Sequence, residues 1–170
     1  MKPRVQLVAL ANDDETEFLT AALRSGKLHR RWVAPPVTRQ AFRAKVASMQ
    51  GPANYAFAVR RTDSGDLVGY VEITSVVRGI FRSAYLGYYV FAGHERQGLM
   101  REGVDRAIRH AFTDLGLHRL EANVQPGNLA SIALVRSCGF SKEGYSPRYL
   151  KIRGRWRDHE RWALVQESRR

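Results

Sequence analysis

The stretch Glu95-Arg96-Gln97-Gly98-Leu99-Met100 joins an apolar strand-like run to a long amphipathic helix, and this junction narrows the folds open to the chain more than any other feature. A strand that feeds a helix through a glycine turn calls for a sheet with a helix laid across its face. The first N–H groups of such a helix have no partner within it, and the helix dipole favours negative charge there. Gly98 lets the backbone come close to a guest. The junction is therefore a seat for an anion, with phosphate or pyrophosphate as its natural occupant. Many strand–turn–helix joints bind nothing, so the rest of the chain has to decide.

Hydrophobic periodicity places the other elements. Val5 to Leu10 reads as a first strand. Asp13 or Asp14 caps a helix running to about Ser25, with Gly26 as its stop. His29-Arg30-Arg31-Trp32 leads to a turn at Pro35-Pro36, and Thr38 caps a second helix to about Met49. The period then changes to two. Tyr55–Arg61, Leu67–Val77 and Ala84–Phe91 form an antiparallel meander with a hairpin turn at Asp63-Ser64-Gly65-Asp66. After Gly98, the residues Met100, Val104, Ala107, Ile108, Ala111, Phe112 and Leu115 make a helical stripe closed by Gly116. A strand Arg119–Val124 follows, with Leu120, Ala122 and Val124 inward. Asn128 caps a short helix to about Ser137. Two last strands lie near Tyr145–Ile152 and Trp156–Val165. The order predicts an α+β domain spanning 1–170: a central, mostly antiparallel mixed sheet flanked by helices.

Composition bounds the function. With 170 residues a real core can be buried. The longest apolar runs fall short of the ~20 residues that span a membrane, and the start of the chain lacks the pattern of a signal peptide. With a lone cysteine, Cys138, these features lead to the expectation of a cytoplasmic protein with no membrane partner. The formal charge of +12 suits an anionic partner such as a phosphorylated cofactor or an acidic peptide. The basic residues are spread along the chain and accompany no nucleic-acid-binding motif, so direct nucleic-acid recognition is not expected. No metal is expected either.

Four stretches share one pattern. They are Val76–Phe81 with Tyr85-Leu86-Gly87-Tyr88; Gln97-Gly98-Leu99-Met100; His118–Val124 with Pro126, Asn128 and Ser131; and Gly139-Phe140, Glu143-Gly144-Tyr145 and Gly154–His159. Together they resemble the GNAT superfamily of N-acetyltransferases, in particular its ribosomal-protein-alanine (RimJ/RimL-like) branch. The likeness runs closely over about Leu67–Leu164. It implies the GNAT fold, acetyl-CoA as cosubstrate, and transfer of its acetyl group to an amine. The family's pyrophosphate loop is written Q/R-x-x-G-x-G/A. Gly98 matches its second glycine, whereas Arg96 stands at the first and Gly93 at the Gln/Arg position. An arginine there implies a backbone with no need of a positive φ, and its guanidinium is free to touch a CoA phosphate.

The resemblance also assigns roles. Arg96, Gln97, Gly98, Leu99, Met100 and Arg101 surround the pyrophosphate. The strand ending at Phe91 splays from its neighbour around Asn123, which exposes backbone groups of Tyr89, Val90 and Phe91 to the pantetheine arm and the thioester oxygen. Asn128 and Ser131 form an N-x-x-S element, with Asn128 on CoA and Ser131 near the thiol as a proton donor or through a water. Read locally, the same two residues are an N-cap and the third residue of a helix. For the general base, Glu72 and Glu121 are the candidates, directly or through water. One branch of the family uses a carboxylate on the strand after Gly144, but Tyr145–Leu150 holds no acid. A terminal α-amine, with a reference pKa of ~7.7–8.0 against ~10.4 for lysine, needs less help from a base. The expected acceptor is therefore a protein N-terminus. A small amine (drug, polyamine or amino acid) and a non-catalytic acyl-CoA-binding module are the alternatives. Cys138 reads as a small core residue, since no histidine close in sequence would activate it. His159 reads as structural. The chain is expected to act as a monomer or homodimer.

Overall fold

In the computed structural model, which describes residues 2–166, seven strands form one mixed sheet. They are β1 (Val5–Ala9), β2 (Tyr55–Arg61), β3 (Leu67–Val77), β4 (Ser83–Val90), β5 (Arg119–Val124), β6 (Ser141–Ile152) and β7 (Arg155–Val165). The helices are α1 (Glu15–Arg24), α2 (Gly26–His29), α3 (Arg39–Ser48), α4 (Leu99–Arg109) and α5 (Leu129–Ser137). The order across the sheet is β1-β2-β3-β4-β5-β7-β6. Every adjacent pair is antiparallel except β4 with β5. This is the expected α+β architecture. The ends of the expected 1–170 domain, Met1 and residues 167–170, lie outside the described residues.

Helices cover both faces, so the central strands bury side chains in both directions. On one face Val71, Ile73 and Leu86 pack with Leu99, Val104 and Ala107 of α4 and Val135 of α5. On the other, Tyr70 and Phe91 pack with Phe18 and Ala22 of α1 and Phe42 and Val46 of α3. Phe18 is the hub of that second cluster. Its ring lies 5.0 Å from Phe42, 5.3 Å from Phe91 and 6.1 Å from Tyr70. Burying one such side chain stabilises the fold by about 1.5–3 kcal/mol.

The helix caps follow the sequence closely, with four local differences. The Thr38 side chain accepts from the Ala41 N–H at 3.2 Å, and Asn128 accepts from Ser131 N–H at 3.2 Å. Asp14 sits at the N-cap of α1 without capping it; its carboxylate accepts from the Ala11 N–H at 2.9 Å and from Arg60 at 2.7 Å. Gly26 does not stop the first helix, because it does not take the left-handed conformation that ends one. Instead the Ser25 hydroxyl donates to the Ala21 carbonyl at 2.6 Å, and a short second helix, α2, begins at Gly26. The stripe after Gly98 ends in a π-helical turn over His110–Asp114 before Gly116. The first strand of the last hairpin starts at Ser141, four residues before the position expected from periodicity.

Candidate functional site: a split sheet with an anion seat

The parallel ladder between β4 and β5 is short. Ser83, Ala84 and Tyr85 pair with Arg119, Leu120 and Glu121, and beyond them the strands part. Which amides face the gap follows from the antiparallel partner of β4. The Phe91 N–H donates to the Val68 carbonyl at 2.8 Å, and Tyr89 lies opposite Tyr70 in the same register. Bonded and non-bonded pairs alternate along such a ladder. Tyr89 and Gly87 therefore exchange their bonds with β3; Leu86 spends its N–H on the last rung of the parallel ladder and leaves only its C=O open, and Tyr88 and Val90 turn both N–H and C=O groups towards the gap. This corrects the expectation for Tyr89–Phe91: only Val90 of the three presents its backbone there, and Tyr88 joins it. The Tyr89 side chain stacks on Tyr70 at 4.9 Å in the core.

The Val90 carbonyl already has a partner, which sequence reasoning missed. His29 of α2 approaches it with Nε2 at 2.6 Å. Burial lowers the His29 pKa from its ordinary 6.5, so the neutral ring donates through Nε2–H and keeps a lone pair on Nδ1. Nδ1 is buried and has no partner among the described residues. In sequence His29 is an unremarkable member of a basic run; the fold brings it to the end of β4 through the helix break at Ser25. The Ser25 hydroxyl ties that break to the chain after β4 by accepting from the Ala92 N–H at 2.8 Å.

The N-terminus of α4 falls where the sequence places it and differs in detail. Gly98 is the N-cap of α4 with φ +75°, so Leu99, Met100 and Arg101 contribute the first helical N–H groups. The side chains of Leu99 and Met100 are buried in the core, and that of Arg101 donates to the Ser137 carbonyl at 3.3 Å. Arg96 has φ +58°, against the expectation that arginine marks a backbone without positive φ. The loop places a side chain where glycine is easier. It is braced from within. The Gly93 N–H donates to Glu95 at 2.6 Å, and the Gln97 side chain donates to the Gly93 carbonyl at 2.8 Å. Arg4, a second residue the sequence did not point to, donates to the Gln97 carbonyl at 3.1 Å and forms an ion pair with Glu102.

Ser131 lies across the gap from Tyr88. Its Oγ is 2.7 Å from the Tyr88 hydroxyl. Burial raises the Tyr88 pKa, so the phenol stays protonated. Asn128 caps α5 and holds the Ser131 amide. Asn123 stands on β5, and its Oδ1 is buried without a hydrogen-bond partner among the described residues. The two carboxylates lie on the opposite face of the sheet from Ser131. Glu72 is paired with Lys45 at 2.5 Å and accepts from the Tyr70 hydroxyl at 2.6 Å. Glu121 accepts from Arg119 at 2.8 Å, and Arg119 also grips Glu143. The structure therefore brings Ser131, Tyr88, Asn128 and the open edge of β4 together, and it does not bring either carboxylate to them. The Cys138 thiol is pushed up to about 12 by burial and so remains protonated. His159 is buried with Nδ1 2.9 Å from the Arg157 carbonyl, while Asp158 is held by Tyr145 and the Arg148 N–H.

The parted strands leave an amide-lined slit that ends at the N-terminus of α4. The orphaned Asn123 oxygen and the unpaired β4 edge fit an amide-bearing arm. The chain belongs to the GNAT acetyltransferase family, whose Acetyltransferase (GNAT) domain model matches residues 4–141. It is 41% identical over 116 residues to the [ribosomal protein uS5]-alanine N-acetyltransferase of Escherichia coli, a match covering 68% of this chain and 59% of that protein. It is 32% identical over 103 residues to the spermidine N(1)-acetyltransferase of Vibrio cholerae, covering 61% and 59%. A solved structure of Mycobacterium smegmatis RimJ in complex with CoA-disulfide superposes with a TM-score of 0.87 at 26% identity, covering 95% of this chain and 81% of that one. The matched region spans about 60% of the length of these sequence relatives. Among the described residues no helix is long and apolar enough to cross a membrane.

Proposed function

We propose that this chain transfers the acetyl group of acetyl-CoA to the N-terminal α-amine of a protein, directly and within a ternary complex. The observation that carries the choice of acceptor is the engagement of both candidate carboxylates. Glu72 and Glu121 would each have to leave a cationic partner to take a proton. A site without a free strong base suits an amine that is partly neutral already. The α-amine, with a reference pKa of ~7.7–8.0, meets that condition and a lysine side chain at ~10.4 does not.

Each group then has one task. The Leu99, Met100 and Arg101 amides and the Arg96 guanidinium hold the pyrophosphate. The edge of Leu86, Tyr88 and Val90, with Asn123 opposite, aligns the pantetheine amides. The Val90 N–H, the last outward donor of β4, faces the negative charge that develops on the thioester oxygen. As the amine nitrogen bonds to the acetyl carbon and the C–S bond breaks, Ser131 delivers a proton to the departing sulfur. Tyr88, whose phenol stays protonated, orients the Ser131 hydroxyl across their 2.7 Å contact, and water returns a proton to Ser131. The attacking amine sheds its own proton to water.

The test is intact-mass acetylation of a peptide panel with acetyl-CoA. The panel carries N-terminal Ala, Ser or Met, N-blocked peptides with one internal lysine, and spermidine. Acetylation confined to free N-termini is the expected result. Transfer to blocked lysine peptides or to spermidine, with none to free N-termini, refutes the reading.

A further inference from the structure

Beyond the opening between β4 and β5 lies a cavity of about 460 Å³ lined by Arg30, Arg31, Trp32, Gln125 and Arg157. Its position is set by two contacts. His29 is bonded to the Val90 carbonyl, so Arg30 and Arg31 stand at the lip formed by β4. Gln125 follows the last residue of β5 and donates to the Trp32 carbonyl at 3.1 Å, which ties the same segment to the other lip. Arg157 enters from β7, three residues before Glu160, the partner of Val124. The cavity thus sits at the mouth of the split. It lies on the α2 side, beside the loop that leads into α5.

The chemistry of the lining is one-sided. None of the three guanidiniums forms an ion pair among the described residues, although Arg4, Arg43, Arg60, Arg61 and Arg119 elsewhere in the chain all do. Arg31 lies over the Trp32 ring at 5.2 Å, and the Trp32 ring edge abuts Gly127, where an added Cβ would meet it at 3.3 Å. The backbone is therefore fixed by Gln125 and the indole by Gly127, while the charges are left open to a guest. Like charges this close repel one another unless an anion intervenes. Guanidinium forks match carboxylates in shape as well as charge.

We infer that this cavity is the acceptor subsite for an acidic segment: carboxylates of aspartate or glutamate residues that follow the acetylated residue dock on Arg30, Arg31 and Arg157. The inference rests on the α-amine reading above and adds to it a class of acceptor. A polyamine would enter against three positive charges.

The experiment measures kcat/KM for three peptides with a common N-terminal residue and acidic, neutral or basic residues at positions three to five. Several partly exposed ion pairs acting together lead to an advantage of about 10-fold for the acidic peptide over the neutral one. The basic peptide ranks last. The advantage disappears at about 1 M salt, where the screening length is ~3 Å. Arg31→Gln and Arg157→Gln each lower the acidic-to-neutral ratio, and the double variant brings it near one. Arg109→Gln, on the exposed side of α4, removes the same charge and leaves the ratio intact. Equal kcat/KM for acidic and neutral peptides overturns the inference, as does a ratio that survives the double substitution. A rise in acetyl-CoA KM with an unchanged peptide ratio also overturns it, since the cavity would then serve the donor. If only blocked lysine peptides are acetylated, the α-amine reading falls alone, and the acidic-to-neutral ratio on those peptides still decides the subsite. Acetylation of spermidine alone overturns both.

Discussion

Replacing Arg96 by glycine should make this protein more stable while weakening its grip on CoA. Arg96 holds φ +58° in the pyrophosphate loop. A left-handed backbone costs an L-residue roughly 1–2 kcal/mol. Glycine removes that cost but loses about 0.5–1 kcal/mol through the greater freedom of its unfolded chain. Among the described residues the Arg96 side chain makes no hydrogen bond or ion pair to lose, and it is exposed. The net gain is therefore about 0.5–1 kcal/mol, which for a domain of this size raises Tm by about 1–4 °C. Arg96→Ala separates backbone from charge: it loses the guanidinium and keeps the strain, so its Tm stays near the parent's. Thermal melts without ligand read the first effect, and calorimetric titration with CoA reads the second. In the titration both variants bind CoA more weakly than the parent, by about 2- to 5-fold for one exposed charge-assisted contact. A Tm for Arg96→Gly at or below that of Arg96→Ala would refute the strain argument.

Two further predictions concern the chemistry and the pH response. Ser131→Ala should lower kcat by about 100-fold, the low end of general-acid contributions, with acetyl-CoA KM little changed; kcat within a factor of two of the parent would remove Ser131 from proton delivery. Burial lowers the pKa of both His29 and His159 from the ordinary 6.5. Below that value the unfolded chain takes up protons that the folded chain refuses, so stability is full above about pH 6.5 and falls as the pH drops through the lowered values. The melting temperature should decline between pH 7 and pH 5, and His29→Gln, which keeps a donor for the Val90 carbonyl, should flatten part of that decline. A slope unchanged in His29→Gln would mean that His29 does not contribute to it.

The sequence revealed most where local physics decides. The period change at Tyr55, the helical stripe after Gly98 and the caps at Thr38 and Asn128 are each set by neighbours in the chain, and all appear as read. It was silent where distant segments meet. Nothing local to Leu28-His29-Arg30 indicates that the ring will reach Val90, 61 residues away. Nothing in Val5's neighbourhood indicates that Arg4 will brace the Gln97 carbonyl. Nothing around Tyr88 in the chain indicates that α5 will set Ser131 against it. The wrong inference at Arg96 has a different origin. Replacing glycine by arginine in a motif says that the glycine is dispensable, not that the φ it served has changed.

The short ladder between β4 and β5 has a mechanical consequence. Three residue pairs join a four-stranded block, β1 to β4, to a three-stranded block, β5 to β7. The sheet has a seam rather than a continuous weave, and α4, packed on β1 and β3, belongs to the larger block. A ligand that bonds both edges of the seam acts as a clamp, and its binding energy becomes resistance to their separation. A chain built this way can change what it recognises at its mouth by altering β6, β7 and the α2 segment, leaving the donor side untouched.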